Sequence, residues 1–269
     1  MLPIHAVLDA LKAAVAAHPA VVLAAPPGAG KTTVVPLALL GQPGLGEGRV
    51  LVLEPRRLAA RAAAERMAKT LGQAPGETVG YRTRLQSRIG PKTRIEVVTE
   101  GVFTRMILDD PGLEGVSAVL FDEFHERSLD ADLGLALARE SQTLLRDDLR
   151  IVVMSATLDI AGVSRLLADA EGAAAPVIET EGRAFPVETR YLGRDPAVRI
   201  EDAVARACLT ALAEETGSIL VFLPGQGEIR RTAQRLAERV RDPAVEIAPL
   251  YGAMDKAAQD RAIEPAAPG

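Results

Sequence analysis

The stretch Ala24-Ala25-Pro26-Pro27-Gly28-Ala29-Gly30-Lys31-Thr32-Thr33 organises this chain of 269 residues. A short apolar run, Val21-Val22-Leu23, precedes it, and a helix-compatible run from Val34 to Leu40 follows it. A strand, a glycine-rich loop and a helix in this order form the context of a phosphate-binding loop. Gly28 and Gly30 allow the backbone to turn its N–H groups inward, and the following helix adds the positive end of its dipole. The sequence therefore predicts a nucleotide site here.

The residues after the glycines have matching chemistry. Lys31 can reach the β- and γ-phosphates of a nucleotide, and the Thr32 hydroxyl can hold Mg²⁺. The general pattern has a glycine five residues before Gly30, where this chain has Ala25. The simpler alternative is an ordinary Gly/Pro turn before a helix. The predicted nucleotide-binding set is Pro27, Gly28, Ala29, Gly30, Lys31, Thr32 and Thr33.

Composition limits the remaining possibilities. Hydrophobic residues make up 48% of the chain and aromatic residues 3%, so the core must be built from aliphatic side chains. The net charge of −5 means that any nucleic-acid contact must use a local basic patch. Cys208 is the single cysteine, which excludes an internal disulfide and a cysteine-based zinc site. We expect no membrane span, no secretory leader and a cytoplasmic location.

Short apolar runs alternate with helical patterns up to about residue 180, which predicts a doubly wound α/β fold with a parallel sheet. An amphipathic helix is predicted over residues 4–17. Residues 181–198 are interpreted as a linker, and residues 199–269 as an incomplete second α/β domain. Its predicted strands are Ser218–Leu223 and Val245–Ala248. The strands predicted for the first domain, residues 1–180, are Val21–Ala24, Val50–Leu53, Val79–Arg82, Arg94–Val98, Ala118–Phe121, Ile151–Met154 and Val177–Glu179.

A second candidate site begins where an apolar strand ends. Asp122 and Glu123 directly follow the strand predicted at Ala118–Phe121, and in a phosphate-loop sheet this strand end faces the nucleotide. Asp122 is predicted to hold Mg²⁺ together with Thr32 and Glu123, and Glu123 to polarise the attacking water. The alternative is a charged transition from strand to loop with no chemical role.

Several segments of the sequence are informative when they are taken together in chain order. They are Ala25-Pro26-Pro27-Gly28-Ala29-Gly30-Lys31-Thr32-Thr33, Glu54-Pro55-Arg56-Arg57-Leu58-Ala59-Ala60, Thr99-Glu100-Gly101, Asp122-Glu123-Phe124-His125, Ser155-Ala156-Thr157, Val221-Phe222-Leu223-Pro224-Gly225-Gln226-Gly227-Glu228-Ile229 and Leu250-Tyr251-Gly252. Together these segments resemble the DEAH-type superfamily 2 helicases, and within that group the bacterial HrpB family. The resemblance covers essentially the whole chain and implies two RecA-like domains, the second of them truncated here.

The resemblance implies further residue roles. Arg56, Arg57 and Thr99 would contact a nucleic-acid backbone, and Arg66 would stack its guanidinium on the nucleotide base. His125 would connect the nucleotide site with the site of the nucleic-acid strand. Ser155 and Thr157 would couple the γ-phosphate site to the nucleic acid. The alternatives are a solvated helix start for Arg56 and Arg57, and a surface arginine for Arg66. For His125 the alternative is a structural histidine, and for Ser155 and Thr157 it is a polar turn. A basic cluster precedes the strand predicted at Arg94–Val98. It has two possible interpretations, contact with phosphates or a merely solvated charged loop. Its members are Arg82, Arg84, Arg88, Lys92 and Arg94.

The implied activity is hydrolysis of ATP with Mg²⁺, coupled to movement on single-stranded or partly duplex RNA, with DNA possible, by a monomer. The family's run Gln-Arg-x-x-Arg-x-x-Arg, whose arginines reach the γ-phosphate, is absent from this sequence. We therefore expect this chain to bind nucleotide better than it hydrolyses it. Two alternatives remain: a nucleotide- and nucleic-acid-binding module without turnover, and a phosphate-loop NTPase that acts on protein partners.

Overall fold

The computed structural model describes residues 2–156, 160–181, 186–193 and 195–264. The chain divides into two compact units, residues 1–185 and residues 186–269.

The first unit is built on an eight-stranded sheet with the order β4-β3-β5-β2-β6-β7-β1-β8. All neighbouring pairs are parallel except β3 and β4, which form an antiparallel hairpin. In a parallel sheet the carboxyl ends of the strands meet at one edge, where such folds place their ligands. The strands are β1 (Ala20–Ala24), β2 (Arg49–Glu54), β3 (Val79–Arg82), β4 (Ser87–Arg88), β5 (Ile95–Thr99), β6 (Val116–Phe121), β7 (Arg150–Ser155) and β8 (Val177–Glu179).

Helices cover both faces of this sheet, so the predicted doubly wound α/β fold is confirmed. The predicted N-terminal helix differs in its first turn, since Pro3–Ala6 is a short 3-10 helix. Pro3 lacks a backbone N–H, but proline is tolerated at the first positions of a helix, where the N–H would have no partner within the helix. A second 3-10 segment is Phe124–Glu126. The α-helices are α1 (Leu8–Ala17), α2 (Lys31–Leu39), α3 (Arg57–Thr70), α4 (Glu100–Asp109), α5 (Leu129–Leu144) and α6 (Ile160–Leu166).

The core has two layers because successive strand residues point to opposite faces. In β2, Val50 and Val52 belong to the layer that contains residues of α1, α2 and α3. Leu51 and Leu53 belong to the opposite layer, which contains residues of α4 and α5. Strands buried on both faces read as continuous apolar runs, which is why the sequence pattern located most of them.

The second unit has three helices among its described residues, α7 (Ile200–Glu214), α8 (Gln226–Arg239) and α9 (Lys256–Ile263). The strands predicted at Ser218–Leu223 and Val245–Ala248 are wrong, because neither segment forms a ladder in the structure. A β-strand needs a hydrogen-bonded neighbour, and the described residues provide none for these segments. Leu220 and Phe222 are accordingly 80% and 87% exposed.

Charged side chains join the first two helices of the second unit. Arg231 of α8 pairs with Glu201 of α7, and Arg235 pairs with Asp202. Arg231 also contacts Glu228 one turn earlier, at 2.6 Å. Cys208 of α7 is a buried free thiol, and burial raises its pKa. Ion pairs therefore contribute to the packing of α7 against α8.

Candidate active site

The glycine-rich loop connects the end of β1 to the start of α2. Gly28 and Gly30 have φ angles of 74° and 99°, a region that side chains with a Cβ rarely adopt. The loop is fixed at its start because the Ala25 N–H donates to the Ser155 carbonyl of β7, at 2.9 Å. Lys31 is only 3% exposed, and its Nζ donates to the Ala25 carbonyl at 2.7 Å. The ammonium group is therefore held inside the loop.

A cavity of about 320 Å³ lies against this loop. Most of its lining was predicted from the sequence, namely Gly28, Gly30, Lys31, Thr32, Thr33, Arg66 and Glu123. Leu2 also lines it and was not predicted. Pro27 is exposed and Ala29 is buried, and neither is part of the lining. Arg66 is an exposed residue on α3, and its predicted contact with a base stays a prediction.

Asp122 is the buried carboxylate of the site. It is 2% exposed, and its Oδ1 accepts the Glu123 N–H at 2.9 Å. Burial raises the pKa of Asp122 to about 6; the neighbouring Glu123 charge raises it too, and the Thr32 hydroxyl opposes both effects. Asp122 Oδ2 is buried without a hydrogen-bond partner among the described atoms. A buried acceptor without a partner is costly, and next to the Thr32 hydroxyl it suits a hard cation that prefers oxygen ligands.

Glu123 and His125 form a short chain of polar contacts. The Ala156 N–H donates to His125 Nδ1 at 3.3 Å, so in the neutral ring the proton lies on Nε2. Nε2 is 3.3 Å from Glu123 Oε2. His125 thus connects the carboxylate after β6 to Ala156, the residue after β7 and the middle residue of the predicted Ser155-Ala156-Thr157 motif. Thr157 lies outside the described residues.

The backbone around Glu123 is held in an uncommon conformation. Glu123 has a φ of 49°, which for a residue other than glycine costs of order 1–3 kcal/mol. The neighbouring residues stabilise it: Phe124 is buried and packs edge-to-face on Phe121, with ring centroids 6.3 Å apart. Arg127 lies over the Phe124 ring at 5.6 Å. Ser128 then caps α5 by accepting the Ala131 N–H at 2.9 Å.

Two further carboxylates lie near this edge of the sheet and were given no role by the sequence analysis. Glu54 ends β2 and is 4% exposed. Burial raises the pKa of Glu54 to about 8, and the charges of Asp122 and Glu123 add to the effect. Glu126 accepts from Arg56 Nη2 at 2.5 Å. The position of Glu54 directly after an apolar strand was a usable signal, whereas the Glu126 contact joins residues 70 positions apart.

The predicted nucleic-acid residues follow two strands on the same edge. Arg56 precedes α3 and Arg57 begins it, and both are exposed. Thr99 ends β5 and is the N-cap residue of α4. Ser155 ends β7, next to the phosphate loop. These residues lie on three strand ends, and their functional roles stay predictions.

The basic cluster is partly structural. Arg82 of β3 and Arg49 of β2 both pair with Glu96 of β5, at 2.8 and 3.1 Å. Glu96 is completely buried, so a buried charge is compensated by two arginines. Arg82 therefore has a role in the sheet that the sequence did not reveal. Arg84, Arg88 and Lys92 are exposed.

The described residues contain neither a candidate membrane span nor a candidate cluster of metal ligands. No described helix combines the length and apolar character required to span a bilayer. No described group of three or more histidine, cysteine, aspartate or glutamate side chains is arranged to hold a metal ion.

The fold and the site agree with the family to which the sequence is similar. The family model described as DEAD/DEAH box helicase matches residues 7–166, which is more than half of the chain. The chain therefore belongs to the DEAD/DEAH box helicase family, and its sheet is a RecA-like phosphate-loop fold. The predicted membership is confirmed.

Within this family the chain is similar to HrpB. It is 52% identical over 268 residues to the ATP-dependent RNA helicase HrpB of Escherichia coli strain K12, which covers 100% of this chain and 32% of that protein. The ATP-dependent RNA helicase HrpA of the same strain is 34% identical over 272 residues, covering 98% of this chain and 20% of that protein. The crystal structure of the Escherichia coli DEAH/RHA helicase HrpB matches with a TM-score of 0.90 and 52% identity, covering 99% of this chain and 33% of that one. The chain thus spans about a third of the length of HrpB, in its N-terminal part.

Proposed function

We propose that this chain is the ATP-binding part of an ATP-dependent RNA helicase of the DEAH type. The observation that carries the proposal is the meeting of Lys31, Thr32, Asp122 and Glu123 beside one cavity at the carboxyl edge of a parallel sheet. The names of the similar proteins, ATP-dependent RNA helicases HrpB and HrpA, support ATP and RNA as the ligands. Unwinding belongs to the longer protein.

In the proposed mechanism the loop N–H groups and Lys31 bind the phosphates. Thr32 and Asp122 would hold Mg²⁺, which supplies charge neutralisation at the β- and γ-oxygens. The unpartnered Asp122 Oδ2 beside the Thr32 hydroxyl fits this role. Glu123 orients and polarises the attacking water, and the His125 Nε2–H holds the Glu123 carboxylate in place at 3.3 Å.

The RNA would run along the same edge of the sheet. Arg56, Arg57 and Thr99 offer donors to backbone phosphates at the ends of β2 and β5. The contact between His125 and Ala156 joins the water-activating carboxylate to the residue that directly follows Ser155. This arrangement supports the proposed coupling through Ser155 and Thr157. The motifs that contain Arg56 and Arg57, Thr99, and Ser155 and Thr157 occur together in this order. Their combination favours a nucleic-acid partner over a protein partner.

We further propose that residues 199–269 begin the second RecA-like domain, after a linker at 181–198. The similarity to HrpB extends over this region. A cytoplasmic location and a monomeric state remain part of the proposal. The competing function is a nucleotide-dependent binding module without turnover, which the hydrolysis assay below distinguishes from a helicase ATPase.

The test is steady-state ATP hydrolysis by this chain with and without single-stranded RNA. It is paired with calorimetry of ATP–Mg²⁺ binding to the wild type, Lys31→Ala, Glu123→Gln and the control Lys69→Ala, which changes an exposed lysine of α3. We expect Lys31→Ala to lose binding and Glu123→Gln to bind but to lose residual hydrolysis. RNA-stimulated hydrolysis supports a helicase ATPase, and tight binding without hydrolysis supports the binding module. Unchanged affinity of Lys31→Ala would contradict the loop assignment.

A further inference from the structure

We propose that Leu2 is a nucleotide-contacting residue that packs on the nucleoside part of ATP. This inference rests on the proposed function of the cavity as the ATP site. Leu2 is the one lining residue that sequence analysis did not select. Two features of the molecule support this role: the hydrogen bonds that anchor the segment Leu2–Ile4, and the exposed part of the Leu2 side chain.

The segment is fixed to the phosphate loop and to the last strand. Ile4 is completely buried, and its N–H donates to the Ala29 carbonyl at 3.2 Å. The Pro3 carbonyl accepts from the Thr180 hydroxyl, which follows β8, at 3.2 Å. The Leu2 carbonyl accepts from the His5 N–H at 3.1 Å, in the 3-10 turn. Leu2 is therefore placed beside the loop by hydrogen bonds on both sides of the segment.

The Leu2 side chain packs directly against Gly30. A Cβ added to Gly30 would lie 2.9 Å from Leu2 Cδ1 and 3.2 Å from Ile4 Cγ2. The 2.9 Å distance is shorter than real Cβ contacts, so a side chain at position 30 would force Leu2 to shift. Glycine at this position therefore leaves space for Leu2 and also permits the φ of 99°. These contacts do not cover Leu2 completely, since it is 38% exposed and lines the cavity.

The chemistry of the lining assigns this exposed surface to the nucleoside. Lys31 and Thr32 present donors for phosphates and metal, and Glu123 presents a carboxylate for water. Leu2 presents only hydrocarbon, which suits the carbon atoms of a ribose or a base. Arg66 is the other lining residue outside the loop and the Asp122-Glu123 pair. Among the described residues that line the cavity, Leu2 and Arg66 are thus the two that can contact the part of ATP that carries no phosphate.

The experiment compares ATP with inorganic tripolyphosphate, each with Mg²⁺, by calorimetry. Leu2→Ala should weaken ATP binding about three- to tenfold, as expected for loss of part of a leucine contact, and leave tripolyphosphate binding within about twofold. Leu2→Met should restore ATP binding, because it returns the hydrocarbon surface. Leu108→Ala, at a leucine of α4 that is 62% exposed, is the matched control. Thermal unfolding of each variant checks that the fold is retained.

Three outcomes would overturn the inference. Equal ATP affinity of Leu2→Ala and wild type, with binding lost in Lys31→Ala, removes the Leu2 contact and leaves the proposed function intact. Equal weakening of ATP and tripolyphosphate would mean that Leu2 only holds the loop in shape. Absence of ATP binding in the wild type itself would remove the proposed function together with this inference.

Discussion

Glu54→Gln should make this protein more stable, and the gain should grow with pH. Glu54 ends β2 and is only 4% exposed. Its pKa is raised from an ordinary 4.5 to about 8, chiefly by burial and in addition by the charges of Asp122 and Glu123, while Arg56 lowers it. The glutamine keeps the size of the side chain and removes the ionisation.

The sign follows from proton linkage. A carboxyl whose pKa is higher in the folded state binds its proton more tightly there, so its contribution to stability is complete below pH 4.5 and is lost as pH rises to about 8. One pKa unit corresponds to about 1.4 kcal/mol, so the full displacement is worth up to about 5 kcal/mol. We expect about half of this in the measured free energy of unfolding, about 2–3 kcal/mol. That corresponds to a difference in midpoint of roughly 4–12 °C.

The assay is thermal unfolding of wild type and Glu54→Gln at several values of pH between about 5 and 9, without Mg²⁺, followed by circular dichroism. Glu140→Gln, at an exposed position of α5, is the control and should follow the wild-type curve. The Glu54→Gln curve should meet the wild type near pH 5 and separate from it towards pH 9. Parallel curves over the whole range would refute the argument that a buried charge at Glu54 destabilises the fold.

Two other substitutions test local contacts. Gly80→Ala should destabilise the first unit by about 1–3 kcal/mol in urea unfolding, because its Cβ would lie 2.4 Å from the Arg88 carbonyl oxygen on the paired strand. Gly112→Ala, whose Cβ meets only an oxygen at 3.5 Å, is the control, and equal midpoints would disprove the clash. Glu126→Gln should strengthen binding of single-stranded RNA a few-fold in fluorescence anisotropy, since it frees Arg56 from an exposed ion pair. Weaker binding would show that the pair instead prepares Arg56 for RNA.

Much of the first unit could be predicted because burial on both faces leaves a direct pattern in the sequence. The β4 strand escaped because Ser87 and Arg88 are polar and its existence depends on the turn that returns to β3. Helix α2 begins at Lys31 rather than at the first apolar residue of the pattern, because the phosphate loop requires polar residues in the first turn. The second unit shows the converse, where apolar runs such as Ser218–Leu223 form no strand without a neighbour.

The site divides in the same way. Lys31, Thr32, Asp122 and Glu123 could be predicted because loop chemistry and strand ends fix their types and positions. Leu2 could not, because an apolar residue near a helix reads as core, and only the hydrogen bonds of the turn place it in the cavity. The different environments of two adjacent carboxylates could not be predicted either. Asp122 and Glu123 look alike in sequence, yet Asp122 is buried at 2% exposure, while Glu123 lines the cavity.

The arrangement of carboxylates at the sheet edge opposes stability. Burial raises the pKa of both Glu54 and Asp122, each is raised further by neighbouring carboxylates, and one oxygen of Asp122 has no partner among the described atoms. An apolar replacement would fold more stably, so folding alone does not explain this cluster. The carboxylates of Asp122 and Glu123 repel each other beside a lysine-containing loop, and a divalent cation carried in by a nucleotide would relieve that repulsion. The same repulsion that lowers stability would therefore favour binding of a metal–nucleotide complex over a free anion.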